Sequence, residues 1–154
     1  MDFCDKEVFH RIQEFGRGNN YFQTHCGIRI PVVNETCCRG EMPLDPKIHF
    51  NPNGTVHGGA LYTIADAVGG AAALAWGLAA TGKSMDELRV VTVNGNLNYL
   101  RPARGTCIYA EARYRKMGRT MAVIDLSLTD DQGEEVCSGT FTFMYVQFQR
   151  YQTK

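Results

Sequence analysis

One apolar segment constrains the fold of this 154-residue chain more than any other: it runs from His57 to Leu78 and reads HGGALYTIADAVGGAAALAWGL. Between Gly58 and Gly82 the chain carries one charged residue, Asp66. The length of the segment approaches that of a membrane span, but the carboxylate, the many glycines and the strand-like sequence that follows argue against a bilayer. Because a helix that is apolar on every side needs protein packed around it, we predict a buried central helix over about residues 57–78 and no membrane partner.

Runs of alternating apolar and polar residues predict strands on both sides of this helix. Two runs, Thr24–Val33 and Glu35–Pro43, precede it and favour a hairpin around Asn34. The turn-rich stretch Leu44–Val56 should be irregular. Four further runs follow the helix, the last over Val136–Phe148, and their short connections favour an antiparallel meander.

The first strand after the helix shows the clearest alternation. We expect one of its faces to contact the helix, and the apolar residues of that face are Val91, Val93, Leu97 and Tyr99. At the N-terminus, apolar residues at helical spacing predict an extra helix over about residues 5–15. The sum is a single α+β domain over residues 1–154, in which an antiparallel β-sheet packs against a long central α-helix.

Composition narrows the classes of function. The 16 Lys and Arg balance 16 Asp and Glu, so we expect no nucleic-acid partner held by bulk charge. The first residues are charged and show no apolar signal segment, and no CxxC pair occurs. We therefore predict a cytoplasmic protein with reduced thiols at Cys4, Cys26, Cys37, Cys38, Cys107 and Cys137. The four histidines have no metal-ligand spacing, so no metal is expected.

Asp66 is the residue that most needs a chemical explanation. An ionised carboxylate in an apolar helix costs free energy unless it is hydrogen-bonded, and the helix pattern alone leaves open a structural or a catalytic role. Gly58 and Gly59 begin the same helix, where unpaired N–H groups and the helix dipole favour a carbonyl oxygen that becomes negative. Asn51, in the preceding loop, can add a polar contact or hold a water.

Several motifs together resemble a known family. They are N-P-N-G-T-V-H-G-G-A-L-Y-T-I-A-D-A-V-G-G, V-T-V-N-G-N-L-N-Y-L-R-P-A, the turn K-M-G-R-T, and D-D-Q-G-E-E-V-C-S-G-T-F-T-F. Over about Leu44–Phe148 the chain resembles the PaaI-type hotdog-fold acyl-CoA thioesterases. The resemblance implies a hotdog fold and a homodimer paired edge to edge, with active sites built from both subunits. It also implies that such dimers associate into tetramers, and that no cofactor is needed because coenzyme A is part of the substrate.

The resemblance also implies catalytic roles for single residues. Asp66 matches the helical carboxylate that attacks the thioester or activates water, and Gly58 matches the residue whose N–H polarises the carbonyl. Asn51 matches a loop amide near the carbonyl or the lytic water. His57 matches a position that orients this loop, and Thr92 a strand hydroxyl that helps to hold the water.

Binding residues follow from the chemistry of coenzyme A, which carries several negative phosphates. Basic side chains at two turns are candidates as a group, although each alone resembles an ordinary surface charge. Tyr62 is a candidate for the acyl pocket. The residues expected to bind CoA or the acyl group are Tyr62, Tyr99, Arg101, Arg104, Lys116, Gly118 and Arg119.

Thioester hydrolysis suits this set of groups. A thiolate with a pKa near about 8.5 leaves without a strong general acid, so a base or nucleophile and an oxyanion site suffice. No GxSxG motif is present. Two alternatives stay open: a non-catalytic module that binds or senses acyl-CoA, and a hotdog dehydratase or hydratase that acts on 3-hydroxyacyl or enoyl thioesters. The acyl or aryl group is also left open.

Overall fold

One long helix and six strands make up most of the residues that the computed structural model describes, which are Val8, Arg11, Ile12 and residues 21–147. The elements in chain order are α1 (Tyr21–His25), β1 (Arg29–Val33), β2 (Cys37–Pro43), α2 (Pro46–His49), α3 (Gly58–Thr81), β3 (Leu88–Tyr99), β4 (Cys107–Met117), β5 (Met121–Thr129) and β6 (Glu135–Gln147). The last strand begins at Glu135, and Phe148 lies outside the described residues.

The central helix α3 is the core of the fold. His57 caps its start, and it ends at Gly82, which has a φ of 65° and donates its N–H to the carbonyl of Leu78 at 2.9 Å. The helix thus runs three residues beyond the predicted end. It is long and apolar enough to cross a membrane, but 61% of its most apolar window is buried inside the fold. The prediction of a buried core helix is confirmed.

The six strands form one antiparallel sheet in the order β1-β2-β4-β5-β6-β3, and α3 contacts every strand. On β4 and β5 the alternation appears as predicted, with apolar residues such as Ile108 and Ile124 fully buried toward the helix. Phe141 and Phe143 of β6 lie beneath α3 and are also buried. The predicted α+β architecture, an antiparallel sheet wrapped around a long central helix, is confirmed.

The predicted meander is right for β4, β5 and β6 and wrong for β3. That strand pairs with β6 at the far edge of the sheet rather than with β4. The connection from β3 to β4 crosses the end of the sheet: Leu100 donates its N–H to Val136 at 2.9 Å, and Thr106 accepts from Leu44 at 2.8 Å. Alternation shows that a strand has one buried face, but it does not show which neighbour the strand pairs with.

The predicted face of β3 is wrong in its first half. Val93 is the extra residue of a β-bulge, because Thr92 and Asn94 pair with adjacent residues of β6. Since one inserted residue reverses the alternation, Val91 and Val93 point away from α3 and are 43% and 51% exposed. Thr92 faces the helix instead.

A short helix, α1, replaces the predicted start of the first strand at Thr24. Gly27 ends this helix with a φ of 67°, donating its N–H to Thr24, while Ile28 donates to Gln23 at 3.1 Å. These two bonds form a glycine-dependent helix stop, the Schellman motif, so the chain turns into β1 only after Gly27. The β1–β2 hairpin around Asn34 is present as predicted.

Two other predicted segments contain helical residues. The stretch Leu44–Val56, expected to be irregular, contains the one-turn helix α2, which Asp45 caps by accepting the N–H of Lys47 at 2.9 Å. Of the N-terminal helix predicted over residues 5–15, Val8, Arg11 and Ile12 are described; all three are helical, and Ile12 is buried. The rest of that prediction lies outside the described residues.

The cysteines within the described residues are unpaired. They are Cys26, Cys37, Cys38, Cys107 and Cys137. Burial raises the pKa of the Cys38 thiol strongly and that of Cys137 to about 11, so these thiols stay protonated and behave as small apolar side chains. Cys4 lies outside the described residues.

Candidate active site

Asp66 is held by a hydroxyl group from the facing strand. Asp66 lies half-buried on α3, and Thr92 of β3 donates its hydroxyl to Oδ1 at 2.7 Å. The β3 bulge makes this contact possible, because it turns Thr92 rather than Val93 toward the helix. One carboxylate oxygen is thereby fixed in position, and a role of Thr92 in holding the lytic water stays a prediction.

A cavity of about 160 Å³ begins at this pair. Asp66 and Thr92 supply polar groups to its lining, and apolar side chains such as Val90 and Phe143 supply most of the rest. Tyr62, predicted for the acyl pocket, does not line this cavity. Its ring packs 5.0 Å from that of Phe141, and its hydroxyl donates to the carbonyl of Gly95 at 3.4 Å.

The start of α3 leaves one amide free. The ring Nδ1 of His57 accepts the N–H of Gly59 at 2.9 Å, and the backbone carbonyl of His57 accepts from Ala60 and Leu61. None of the described residues accepts the N–H of Gly58. That N–H lies at the positive end of a 24-residue helix and is available to a carbonyl oxygen.

Tyr99 and Gly58 fit closely together. The Tyr99 hydroxyl donates to the carbonyl of Gly58 at 3.0 Å, and a Cβ added at Gly58 would lie 3.3 Å from the Tyr99 ring. The ring therefore leaves little room for a side chain at the first helical position. Partial burial raises the pKa of Tyr99, which keeps its hydroxyl as a donor.

Asn51 uses its side chain within its own loop. Oδ1 accepts the N–H of Asn53 at 2.9 Å and that of Thr55 at 3.3 Å, while Nδ2 donates to the Thr55 hydroxyl at 2.8 Å. These bonds shape the loop that leads into α3. A role of Asn51 at the carbonyl or the lytic water stays a prediction.

His49 is a residue of the site region that sequence reasoning missed. It is 2% exposed, its Nδ1 accepts the N–H of Asp45 at 2.8 Å, and its Nε2 contacts the carbonyl of Cys26 at 3.0 Å. Because Nδ1 accepts a backbone N–H, the proton must lie on Nε2. Its own carbonyl accepts the N–H of His57 at 2.7 Å, so His49 connects the entry of β1 to the start of α3. The only available signal was a histidine among turn residues.

The two basic turns do not lie side by side in one chain. The turn with Arg101 and Arg104 precedes β4, whereas Lys116 and Arg119 lie at its other end. A strand of 11 residues spans about 34 Å, so one protomer cannot bring both turns to the same phosphate group. The prediction that both turns bind CoA is therefore not met within one chain and stays a prediction.

The basic residues also differ in their pairing. Arg101 forms an ion pair with Glu134 in the β5–β6 turn. Arg104, Lys116 and Arg119 are exposed, and no acidic residue of the described part of the chain pairs with them. Gly118 closes its turn by donating to the carbonyl of Met121 at 2.8 Å. Within the described residues no group of three His, Cys, Asp or Glu side chains is placed to hold a metal ion.

The sheet wrapped around α3, with a carboxylate and a free helix N–H on that helix, defines a class of protein. The family model of the Thioesterase superfamily matches residues 53–137, just over half of the chain and the part that holds these groups. The chain therefore belongs to the thioesterase superfamily, and its fold is the hotdog fold.

Relatives in this family include named thioesterases. PA1618 of Pseudomonas aeruginosa is 30% identical over 120 residues, 78% of each chain, and the crystal structure of a mutant of thioesterase PA1618 superposes with a TM-score of 0.74 over 94% of this chain and 95% of that one. The proofreading thioesterase EntH of Klebsiella pneumoniae is 27% identical over 77% of this chain and 81% of its own. These relatives support thioesterase activity for this chain.

The PaaI protein of the E. coli phenylacetic acid degradation operon shares the fold. Its structure superposes with a TM-score of 0.75 at 20% identity and covers 91% of both chains. The resemblance to PaaI-type hotdog thioesterases is confirmed at the level of family and fold.

Proposed function

We propose that this protein hydrolyses the thioester of an acyl- or aryl-CoA to the free acid and CoA, with Asp66 as the nucleophile or the general base. The observation that carries the proposal is the position of Asp66. It is the one charged residue of a 24-residue apolar helix, and Thr92 holds it at the opening of a largely apolar cavity. A carboxylate placed there at a cost in free energy is typical of a catalytic group.

The chemistry needs two groups, and the chain offers both. The free N–H of Gly58 would stabilise the negative charge that develops on the thioester oxygen. In one route Asp66 attacks the carbonyl carbon, the thiolate of CoA leaves, and water hydrolyses the acyl anhydride. In the other route Asp66 takes a proton from water, which attacks directly. Both routes end in carboxylic acid and CoA thiol, and neither needs a cofactor.

The site is proposed to be shared between two chains. Gly58 and Asp66 lie eight residues apart on one helix, a distance of about 12 Å along its axis. A carbonyl that bonds to the first and is attacked directly by the second spans only about 7 Å. A homodimer solves this problem if Asp66 of one chain meets the partner's Gly58.

The edge strand β3 supports such a dimer. Its Val91 and Val93 are exposed apolar side chains at an edge with which no other described strand pairs, and antiparallel pairing with a second copy would cover it. Pairing of this kind exchanges the two ends of the sheet. Arg101 and Arg104 of one chain then come to the same end as the partner's Lys116 and Arg119. The two basic turns, far apart in one chain, would together attract the phosphates of one CoA.

Further parts of the proposal follow from the same geometry. His57 and Asn51 hold the loop that presents Gly58, and Tyr99 borders the entrance at which CoA would lie. Association of dimers into tetramers is part of the proposal. So is a cytoplasmic location, the reducing compartment that suits the unpaired thiols of the described residues.

The test is release of CoA thiol from a panel of acyl- and aryl-CoAs by the purified protein and by Asp66→Asn. We expect the variant to lose at least about a thousandfold in kcat while it keeps the melting temperature and CoA binding of the wild type. Glu35→Gln makes the same carboxylate-to-amide change at an exposed site in the β1–β2 turn and should keep full activity.

Three outcomes would contradict the proposal. Full turnover by Asp66→Asn would remove Asp66 from the chemistry. Tight binding of acyl-CoA without thiol release across the panel would instead support a non-catalytic binding module, and water addition to an enoyl-CoA would support a hydratase.

A further inference from the structure

The cavity that begins at Asp66 has a definite direction. Its wall on α3 consists of Asp66, Ala67, Gly70, Ala71 and Leu74, which lie three and four residues apart and so share one face of the helix. From Asp66 to Leu74 is eight residues, or about 12 Å. The cavity therefore leads away from the carboxylate along the C-terminal half of α3.

Apolar side chains border the far end of the cavity. Leu74 packs in a second buried cluster with Leu78, Met85 and Leu88, which fills the space beyond it. Ile12 and Ile30 contribute further apolar lining, so beyond Asp66 and Thr92 the main polar side chain of the lining is Gln23. A ligand that fits this space is apolar along its length and carries its reactive polar group at the carboxylate end.

We propose that this cavity holds the acyl part of the thioester and that Gly70 and Ala71 set the largest acyl group accepted; this rests on the proposed function. A cavity of about 150 Å³ in another protein admits benzene, and the volume here is about 160 Å³. A length of about 12 Å corresponds to about nine carbons at roughly 1.3 Å per carbon of an extended chain. The matching substrates carry one aromatic ring or a medium-length chain, and long-chain acyl groups exceed the space.

Gly70 is open to the cavity in a way that its neighbour is not. A Cβ added at Gly70 would lie 3.5 Å from the Phe143 ring, an ordinary contact, so a methyl group fits and occupies cavity volume. A Cβ at Gly69 would lie 3.0 Å from the same ring and 3.4 Å from Leu126, because that position faces the core. Core packing therefore explains why position 69 is a glycine. It does not explain the glycine at position 70, which borders the cavity.

The experiment compares kcat/KM of wild type, Gly70→Ala and Ala71→Leu on acetyl-, butyryl-, hexanoyl-, octanoyl-, dodecanoyl-, palmitoyl- and phenylacetyl-CoA. We expect wild type to fall sharply between octanoyl- and dodecanoyl-CoA. Gly70→Ala should lose roughly tenfold on octanoyl-CoA and little on butyryl-CoA, and Ala71→Leu should move the limit to shorter chains still. The control Ala80→Leu changes an exposed position in the last turn of α3 and should leave the limit unchanged.

A folding defect is not expected for Gly70→Ala, since alanine is the better helix former and the melting temperature should not fall. Equal rates on hexanoyl- and palmitoyl-CoA in wild type, or an unchanged limit in both cavity variants, would overturn the proposal.

Binding separates this proposal from the proposed function. Titration calorimetry of the same thioesters with Asp66→Asn measures fit without turnover. A size limit in binding that shifts with Gly70→Ala supports the acyl cavity even if wild type releases no thiol. If hydrolysis depends on Asp66 but neither rate nor binding shows a size limit, the proposed acyl cavity is wrong and the proposed thioesterase activity still holds.

Discussion

The two edges of the sheet are built in opposite ways. β1 has five residues, a bulge between Arg29 and Val32, and Pro31, which has no N–H to offer a neighbouring strand. β3 has 12 residues, and the chain carries no charged residue between Arg89 and Arg101. A long, uncharged edge with exposed valines favours another strand beside it, whereas a short edge with a proline ends a sheet.

The difference between the two edges connects the proposed dimer to the candidate active site. The edge strand β3 also carries Thr92, which donates a hydrogen bond to Asp66. A partner on β3 would therefore form its interface beside the carboxylate. The β1 side instead holds the sheet with ion pairs, Arg29 with Glu41 and Arg39 with Glu111. The β1 edge is stabilised within the chain, whereas the β3 edge would be completed by the partner chain of the proposed dimer.

Of the effects that separate the two edges, the largest is expected from charging the β3 edge. Val91→Lys combined with Val93→Lys would place four positive charges near the two-fold axis of the proposed dimer. That dimer should dissociate, and kcat/KM should fall by about a hundredfold or more because the proposed site needs both chains. Light scattering after size exclusion gives the mass, and thiol release gives the rate. Pro31→Lys on β1 is the control and should change neither. A variant that remains dimeric, or a control that also dissociates, would show that the two edges do not differ as described.

A substitution away from the β1 edge should lower the stability of the β1 side of the sheet. His49→Leu removes the partners of the partly buried Asp45 N–H and of the buried Cys26 carbonyl, so the free energy of unfolding should fall by about 2 kcal/mol in urea titrations. The exposed His25 of α1 provides the control, and His25→Leu should stay within about 0.5 kcal/mol of wild type. Equal stability of the two variants would mean that His49 does not connect β1 to α3.

A smaller effect is expected from the hydroxyl on β3. Thr92→Val keeps the shape of the side chain and removes the bond to Asp66, so kcat/KM should fall by about tenfold while the dimer stays intact. Thr92→Ser keeps the hydroxyl and should retain most of the activity. Unchanged rates for Thr92→Val would show that Asp66 is positioned by other groups.

The smallest effect concerns acid stability on the β1 side. Burial disfavours the charge of Glu111, but the hydrogen bond and charge of Arg39, with the charge of Arg113, outweigh it and lower the pKa of that carboxyl. A lowered pKa in the folded state adds stability above the unfolded value of about 4.3, and this stability is lost as the pH falls through the folded value. Wild type should exceed Glu111→Gln by less than about 1 kcal/mol at about pH 7, and this difference should shrink as the pH falls below about 4 toward about 2.

Urea midpoints at the two pH values measure this difference. A gap that persists in acid would place its origin in packing rather than in the charge of Glu111. Since the chain between Arg89 and Arg101 carries no charge, the β3 edge should contribute nothing to this acid-sensitive part of the stability.

Much of the architecture could be predicted because local patterns depend on which side of an element is buried. The apolar run predicted α3, and strict alternation predicted the buried faces of β4 and β5. The same reasoning failed at β3, where the extra residue Val93 reverses the faces, and at α1, where the bonds around Gly27 form only once the chain has turned. A bulge and a helix stop depend on the geometry of several residues together.

The residues of the candidate site likewise include some that the sequence indicates and some that it does not. Asp66 could be singled out by its charge in an apolar helix, and Gly58 by its place at the start of that helix. His49 could not, because its role depends on three backbone groups that are distant in sequence or hidden in a loop. The two basic turns were predicted as one CoA-binding group from the family resemblance, and the sequence could not show that β4 separates them by its whole length within one chain.

The sequence alone shows that one helix lies inside an antiparallel sheet and that this helix carries one charge, because the periodic pattern of apolar residues indicates which side of each element is buried. Three features depend on the tertiary structure: β3 lies at the edge of the sheet, Thr92 rather than Val93 faces Asp66, and a cavity leads from this pair toward Leu74. These features arise from pairing between residues far apart in the chain, and such pairing leaves no periodic signal in the sequence.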